Sequence, residues 1–149
     1  MNTITNTLHQ RYQQGFTLIE IMVVVVIISV LIGLVAPNIL GRVDEAKVTA
    51  AQTDIATLEQ ALEMYKLDNQ VFPSTDQGLQ ALIEKPNTSP VPRKWNPAGY
   101  LKKSQLPVDP WGGQYQYISP GSTGAFDLYS LGADGREGGE GYDTDIGNW

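Results

Sequence analysis

Residues 15–36 read GFTLIEIMVVVVIISVLIGLVA, and this stretch decides the architecture. From Phe16 to Ala36 the only clearly polar side chains are Thr17, Glu20 and Ser29. At about 1.5 Å rise per residue the run makes roughly 30 Å of helix, the thickness of one hydrocarbon core. It is apolar nearly all round, so the pattern predicts a transmembrane helix over 16–36 and not a helix with one buried stripe. A carboxylate inside such a helix costs on the order of 3 kcal/mol on insertion scales. Glu20 therefore needs either a positive partner at the same depth or a place at the interface, where it reaches water or holds a proton.

Working outward toward the N-terminus, residues 1–15 are polar and carry Arg11 beside the α-amine. They read as a short cytoplasmic leader, and positive flanks stay on the cytoplasmic side, which puts the C-terminal portion outside. A secretory signal peptide is the alternative. The length of the run, Glu20 within it and the lack of an A-x-A-like site after it all speak against that reading.

Toward the C-terminus, Pro37 and Gly41 predict a bend or local melting near 33–41. Helical periodicity then resumes: Val48, Ala51, Ile55, Leu58, Leu62 and Tyr65 recur at steps of three or four, with Asp54, Glu59, Glu63 and Lys66 off the stripe. This is an amphipathic helix over 43–67, whose stripe suits a domain core better than a partner groove. Asp68-Asn69 ends it, and Ser74 with Gln77 three positions on starts a short helix over 77–85. The six prolines in 86–110 predict an irregular loop pinned by Trp95, Tyr100 and Leu101. Residues 114–119 and 125–130 alternate as two strands, a hairpin to lay against the long helix. The fold class is α+β: a long N-terminal helix, transmembrane and then amphipathic, packed on a small antiparallel sheet, with 37–149 forming one outer domain.

Composition narrows the function. Net charge is −6, and the basic residues beyond Arg11 form no stripe, so nucleic acid is not an expected partner. The chain has no cysteine, its one histidine is His9, and no G-x-x-x-x-G-K phosphate loop is present. A thiol nucleophile, cysteine-ligated zinc and histidine, the commonest general base and zinc ligand, are thus missing from the outer domain. Between Leu131 and Asp145 the chain reads LGADGREGGEGYDTD. Oxygen ligands on glycine-permitted turns suit calcium, although the EF-hand spacing is not met. A solvated acidic tail is the other reading, and Ile146 and Trp149 beyond the loop speak against it.

Gly15-Phe16-Thr17-Leu18-Ile19-Glu20, followed at once by a spanning run, resembles the processing motif of the type IV pilin and pseudopilin superfamily. The stretches LEQALEMYKLDNQVFPSTDQGLQALIEKP (58–86), LPVDPWGGQYQYISPG (106–121) and DLYSLGADGREGGEGYDTDIGNW (127–149) are similar to the major pseudopilins of type II secretion systems. The lack of a C-terminal cysteine pair separates the chain from ordinary type IV pilins. The resemblance implies a pilin-like fold and cleavage between Gly15 and Phe16 by a prepilin peptidase, followed by N-methylation of Phe16. It implies that Glu20 pairs with the terminal amine of an adjacent subunit during assembly.

It further implies one structural calcium in the loop 131–145, with Asp134, Asp145 and the Leu131 carbonyl as foremost ligands and Asp143 and the Arg136 carbonyl as further ones. The function implied is that of a non-enzymatic subunit that self-assembles into the periplasmic pseudopilus and helps export folded proteins across the outer membrane. Its partners would be copies of itself, minor pseudopilins, the prepilin peptidase, inner-membrane secretion components, an assembly ATPase and the lipid bilayer. Its place would be the inner membrane, single-pass, with the C-terminal domain in the periplasm. A surface-fibre type IV major pilin and a membrane-anchored periplasmic calcium-binding hydrolase are the alternatives.

Overall fold

The computed structural model describes residues 15–149, and side chains for all of these but 35–40. The expected leader 1–15 therefore lies, except for Gly15, outside the described residues. The chain divides into two compact units, Met1–Leu40 and Gly41–Trp149.

The first helix, α1, runs from Leu18 to Asn69. Its start is set by a reciprocal capping pair. The Glu20 amide donates to Thr17 Oγ1 at 3.3 Å, and the Thr17 amide donates to Glu20 Oε2 at 3.4 Å. Two of the donors orphaned at a helix N-terminus are thereby satisfied. Ser29, the polar residue deeper in the run, donates its hydroxyl to the Val25 carbonyl at 2.7 Å, so no hydroxyl is left bare. Every large apolar side chain from Phe16 to Leu34 is exposed, between 46% and 79%. Among the described residues no helix is long and apolar enough to cross a membrane. The expected melting near 33–41 does not occur: the helix is continuous through Pro37 and Gly41. A proline removes a single amide donor, and the turns on either side keep their own hydrogen bonds.

In the second unit α1 presents the predicted stripe to a core. Ala51, Ile55, Leu58, Leu62 and Tyr65 are at most 3% exposed, and Ala61 joins them, while Val48 is half-buried. The helix ends at Asn69, two residues beyond the expected end, because Gln70 turns left-handed at φ 66° and its amide still reaches the Lys66 carbonyl at 2.6 Å. Asn69 Nδ2 covers the Tyr65 carbonyl at 3.0 Å.

The Ser74–Gln77 capping pair forms as predicted, at 3.3 and 3.2 Å. The helix it was expected to open over 77–85 shrinks to a 3-10 turn, Leu79–Leu82. Gly78 sits at φ 58°, and the Gln77 side-chain amide is drawn sideways to the Thr88 and Pro90 carbonyls, so the turn cannot extend as an α-helix. The turn nevertheless buries Leu79, Ala81 and Leu82. The proline-rich segment is pinned as expected: Tyr100 is buried, Trp95 and Leu101 pack on the core, and Trp95 Nε1 donates to the Ala81 carbonyl at 2.8 Å.

Three antiparallel strands follow in the order β1-β2-β3: β1 Gln116–Ile118, β2 Asp127–Ser130 and β3 Ile146–Gly147. Tyr117 pairs with Leu128, and both are buried in the core shared with α1. The two expected strands are thus shorter than read, and a third joins them. Two residues of β3 are too few for an alternation signal. The Tyr115 hydroxyl ties the sheet side of the core to α1 by donating to Asp54 Oδ2 at 3.0 Å.

Candidate functional site

The C-terminal loop is rooted in a buried carboxylate. Asp109 is 5% exposed; its Oδ1 accepts the Trp111 and Gly113 amides at 3.1 and 2.7 Å, and its Oδ2 accepts the Ser130 hydroxyl at 2.6 Å. The Gly132 amide donates in turn to Ser130 Oγ at 3.2 Å. One buried side chain therefore holds the 109–113 turn, the end of β2 and, through Ser130, the first residues of the loop together. Gly132 is required here: at φ 69°, a Cβ would stand 2.9 Å from the carbonyl oxygens of Asp143 and Thr144. Gly139, at φ 91°, is crowded in the same way by the Asp143 carbonyl.

The loop's return is equally tied. The Ala133 amide donates to the Tyr142 carbonyl at 3.0 Å, and Gly141–Asp143 form a 3-10 turn. Asp134 Oδ1 accepts the Arg136 amide at 3.0 Å, and Asp145 Oδ2 accepts the Gly138 amide at 3.0 Å. After Asp145 the chain enters β3; Asn148 Oδ1 accepts the Leu128 amide and its Nδ2 donates to the Phe126 carbonyl. Trp149 packs on Tyr129 with ring centroids 5.7 Å apart. The segment is therefore a closed loop between β2 and β3 and not a free acidic tail.

Of the residues singled out for a cation, Leu131 lies at the loop's entry and Asp145 at its exit, while Asp134, Arg136 and Asp143 are exposed along it. Among the described residues no three acidic or histidine side chains converge closely enough to hold a metal on their own. Any cation here needs backbone carbonyls as well, which calcium accepts readily. One atom stands out. Asp145 Oδ1 is buried and has no hydrogen-bond donor, a costly state for a carboxylate oxygen unless something positive meets it.

The nearby field is negative. Burial first, and then Glu137, Asp145 and Asp127, push the Tyr129 hydroxyl pKa up. Asp127 itself is held below the usual carboxylate range, first by the Ser122 hydroxyl and amide and then by Thr123. It thereby caps the β1–β2 connection. Tyr129, Trp149, Asp127, Glu137 and Asp145 line an open cleft of about 450 Å³.

Sequence reasoning did not single out Asp109, Ser130 or Asp127. Asp109-Pro110-Trp111-Gly112-Gly113 does carry a signal, since Asp followed by proline and glycines favours a turn closed on the Asp side chain. The Ser130 contact, 21 residues away, carries none.

At the other end of the chain, Gly15, Phe16 and Glu20 are all exposed, and the hydrogen bonds of Glu20 are those of the helix start.

Comparison with known proteins fits this arrangement. The family described as "Type II secretion system (T2SS), protein G" matches residues 38–149, and the "Prokaryotic N-terminal methylation motif" matches residues 10–36. The chain is 61% identical over 142 residues to the type II secretion system core protein G of Pseudomonas aeruginosa, covering 95% of this chain and 99% of that protein. It is 58% identical over 139 residues to the Vibrio cholerae protein of the same description, covering 93% of each. Among solved structures, the crystal structure of the major pseudopilin from the type 2 secretion system of enterohaemorrhagic Escherichia coli superposes with a TM-score of 0.66 at 44% identity, covering 76% of this chain and 95% of that one. With the family matched over most of the chain and relatives matched nearly end to end, the chain belongs to the type II secretion system protein G family.

Proposed function

We propose that this chain is a structural subunit of a type II secretion pseudopilus, made as a membrane-anchored precursor, cut between Gly15 and Phe16, methylated at Phe16 and polymerised through its apolar helix. The observation that carries the reading is the run Phe16–Leu34, headed by GFTLIE and exposed on every face. Exposed apolar surface on that scale must be covered, first by lipid and then by copies of itself. The match of the N-terminal methylation motif over 10–36 supports the processing step. The relatives' descriptions favour the secretion pseudopilus over a surface fibre or an anchored hydrolase.

In this reading the subunit has no catalytic role of its own: the peptidase and an assembly ATPase do the chemistry, and minor pseudopilins and inner-membrane components are its other partners. It resides in the inner membrane with residues 37–149 in the periplasm. Glu20 pairs across subunits with the amine of Phe16, so that two charges at one depth compensate each other.

Calcium completes the C-terminal loop. The carboxylates of Asp134 and Asp145 and the Leu131 carbonyl hold it, with Asp143 and the Arg136 carbonyl as further ligands. The donor-free buried Asp145 Oδ1 supports this. When bound, the ion offsets repulsion among the loop's carboxylates. Chelation should lower the melting temperature and added calcium should restore it; an unchanged melt would remove the ion from the account. Asp134→Ala should lower stability first, whereas a hydrolase would lose activity while staying folded.

The deciding experiment is the intact mass of the chain from membranes of cells with and without a prepilin peptidase. Loss of residues 1–15 and gain of one methyl group only when the peptidase is present is the expected result. An uncut chain, or one cut after Ala36, would sink the filament reading.

A further inference from the structure

One long-range contact in the second unit is used neither by the core nor by the loop's own closure. The Tyr142 hydroxyl donates to the backbone carbonyl of Gly41 at 3.3 Å, across 101 positions of sequence. Tyr142 belongs to the 3-10 turn Gly141–Asp143, and its own carbonyl accepts the Ala133 amide, so its position is set by how the loop is folded. The ring is 40% exposed. Burial therefore does not enforce the contact; loop geometry does. Its acceptor lies in α1, one helical turn beyond Pro37 in the sequence. Proline supplies no amide, so the Gly33 carbonyl lacks its usual donor.

We infer that Tyr142 is a latch coupling the order of the 131–145 loop to the order of α1 at Gly41. A carbonyl with two lone pairs can accept both its helical amide and the Tyr142 hydroxyl. To open that turn, the helix must break the second bond as well as the first. Loosening the loop displaces Tyr142 and releases the helix there. A state of the periplasmic loop is thereby transmitted to the stretch of helix that follows the apolar run. The trigger rests on the calcium reading proposed above; the contact itself does not.

The test is hydrogen exchange of the full-length chain in detergent micelles, read in peptides covering 41–48 and 132–145, for the wild type and Tyr142→Phe, with calcium and with chelator. With calcium, Tyr142→Phe should speed exchange in 41–48 about threefold, as expected for one exposed hydrogen bond, and leave 132–145 unchanged. Equal rates in 41–48 would overturn the latch. In the wild type, chelator should loosen both regions. If it loosens 132–145 but not 41–48, the coupling is overturned. If it changes neither while Tyr142→Phe still speeds 41–48, the calcium reading fails and the latch stands.

Discussion

The two ends of α1 are built from similar residues and put to opposite uses. Between Phe16 and Leu34 every large apolar side chain is exposed, whereas between Ala51 and Tyr65 the apolar positions at steps of three and four are at most 3% exposed. The difference lies in what occupies the other faces. In the second stretch Thr53, Thr57, Gln60 and Glu63 fill the intervening positions, so one stripe is buried by the chain itself and the rest faces water. In the first there is no polar face to leave outside, and no single packing partner could cover it. A helix with one apolar stripe completes a domain; a helix apolar all round needs a surrounding medium or several copies of itself.

That contrast is open to being broken. The largest effect is expected at Leu58, fully buried in the core cluster: Leu58→Ala should destabilise the second unit by about 2–5 kcal/mol in denaturant melts. Leu31→Ala, in the exposed run, should leave that melt within about 0.5 kcal/mol while impairing filament formation. A comparable loss of domain stability from Leu31→Ala would mean that the two stretches are not independent.

Asp109→Ala comes next, at about 2–4 kcal/mol, because it leaves two amides and the Ser130 hydroxyl without their buried acceptor. Its signature in hydrogen exchange should be lost protection at Gly113 and Gly132. Preserved protection at Gly132 would separate the loop from its supposed root. Tyr115→Phe should cost about 1 kcal/mol, the net worth of the bond to Asp54. In a double-mutant cycle, Asp54→Ala should add little to it.

The smallest effects are in the pH dependence. Asp127 is depressed in the folded chain, so its contribution is present above the ordinary carboxylate range and is lost as pH falls through the depressed value. Asp127→Asn should flatten the acid side of the stability profile. Tyr117 has the opposite sign. Burial pushes it up to about 12, so its contribution is present below the ordinary tyrosine value and fades as pH rises from about 10 toward 12. Tyr117→Phe should flatten the alkaline side; an unchanged profile would mean that the ring is not buried as described.

Local physics explains which parts of this were readable in advance. The Ser74–Gln77 cap, the stripe on α1 and the end of the helix within two residues all depend on groups close in sequence. The short helix expected over 77–85 failed because Gln77 bonds to the carbonyls of Thr88 and Pro90 and Gly78 takes a left-handed φ, choices made by the loop beyond it. Likewise β3 exists only because β2 offers it an edge, since two residues carry no pattern of their own.

The sequence alone determined that a helix apolar on all sides is followed by a helix apolar on one, that the acidic end is anchored by Ile146 and Trp149, and that cysteine and phosphate-loop chemistry are absent. Only the tertiary structure decided that Asp109 roots the C-terminal loop, that Asp145 Oδ1 is buried without a donor, and that Tyr142 reaches Gly41. Periodicity and capping are properties of neighbours along the chain and can be read from it. A carboxylate's partners across 21 positions, or a tyrosine's across 101, depend on where folding brings distant backbone together.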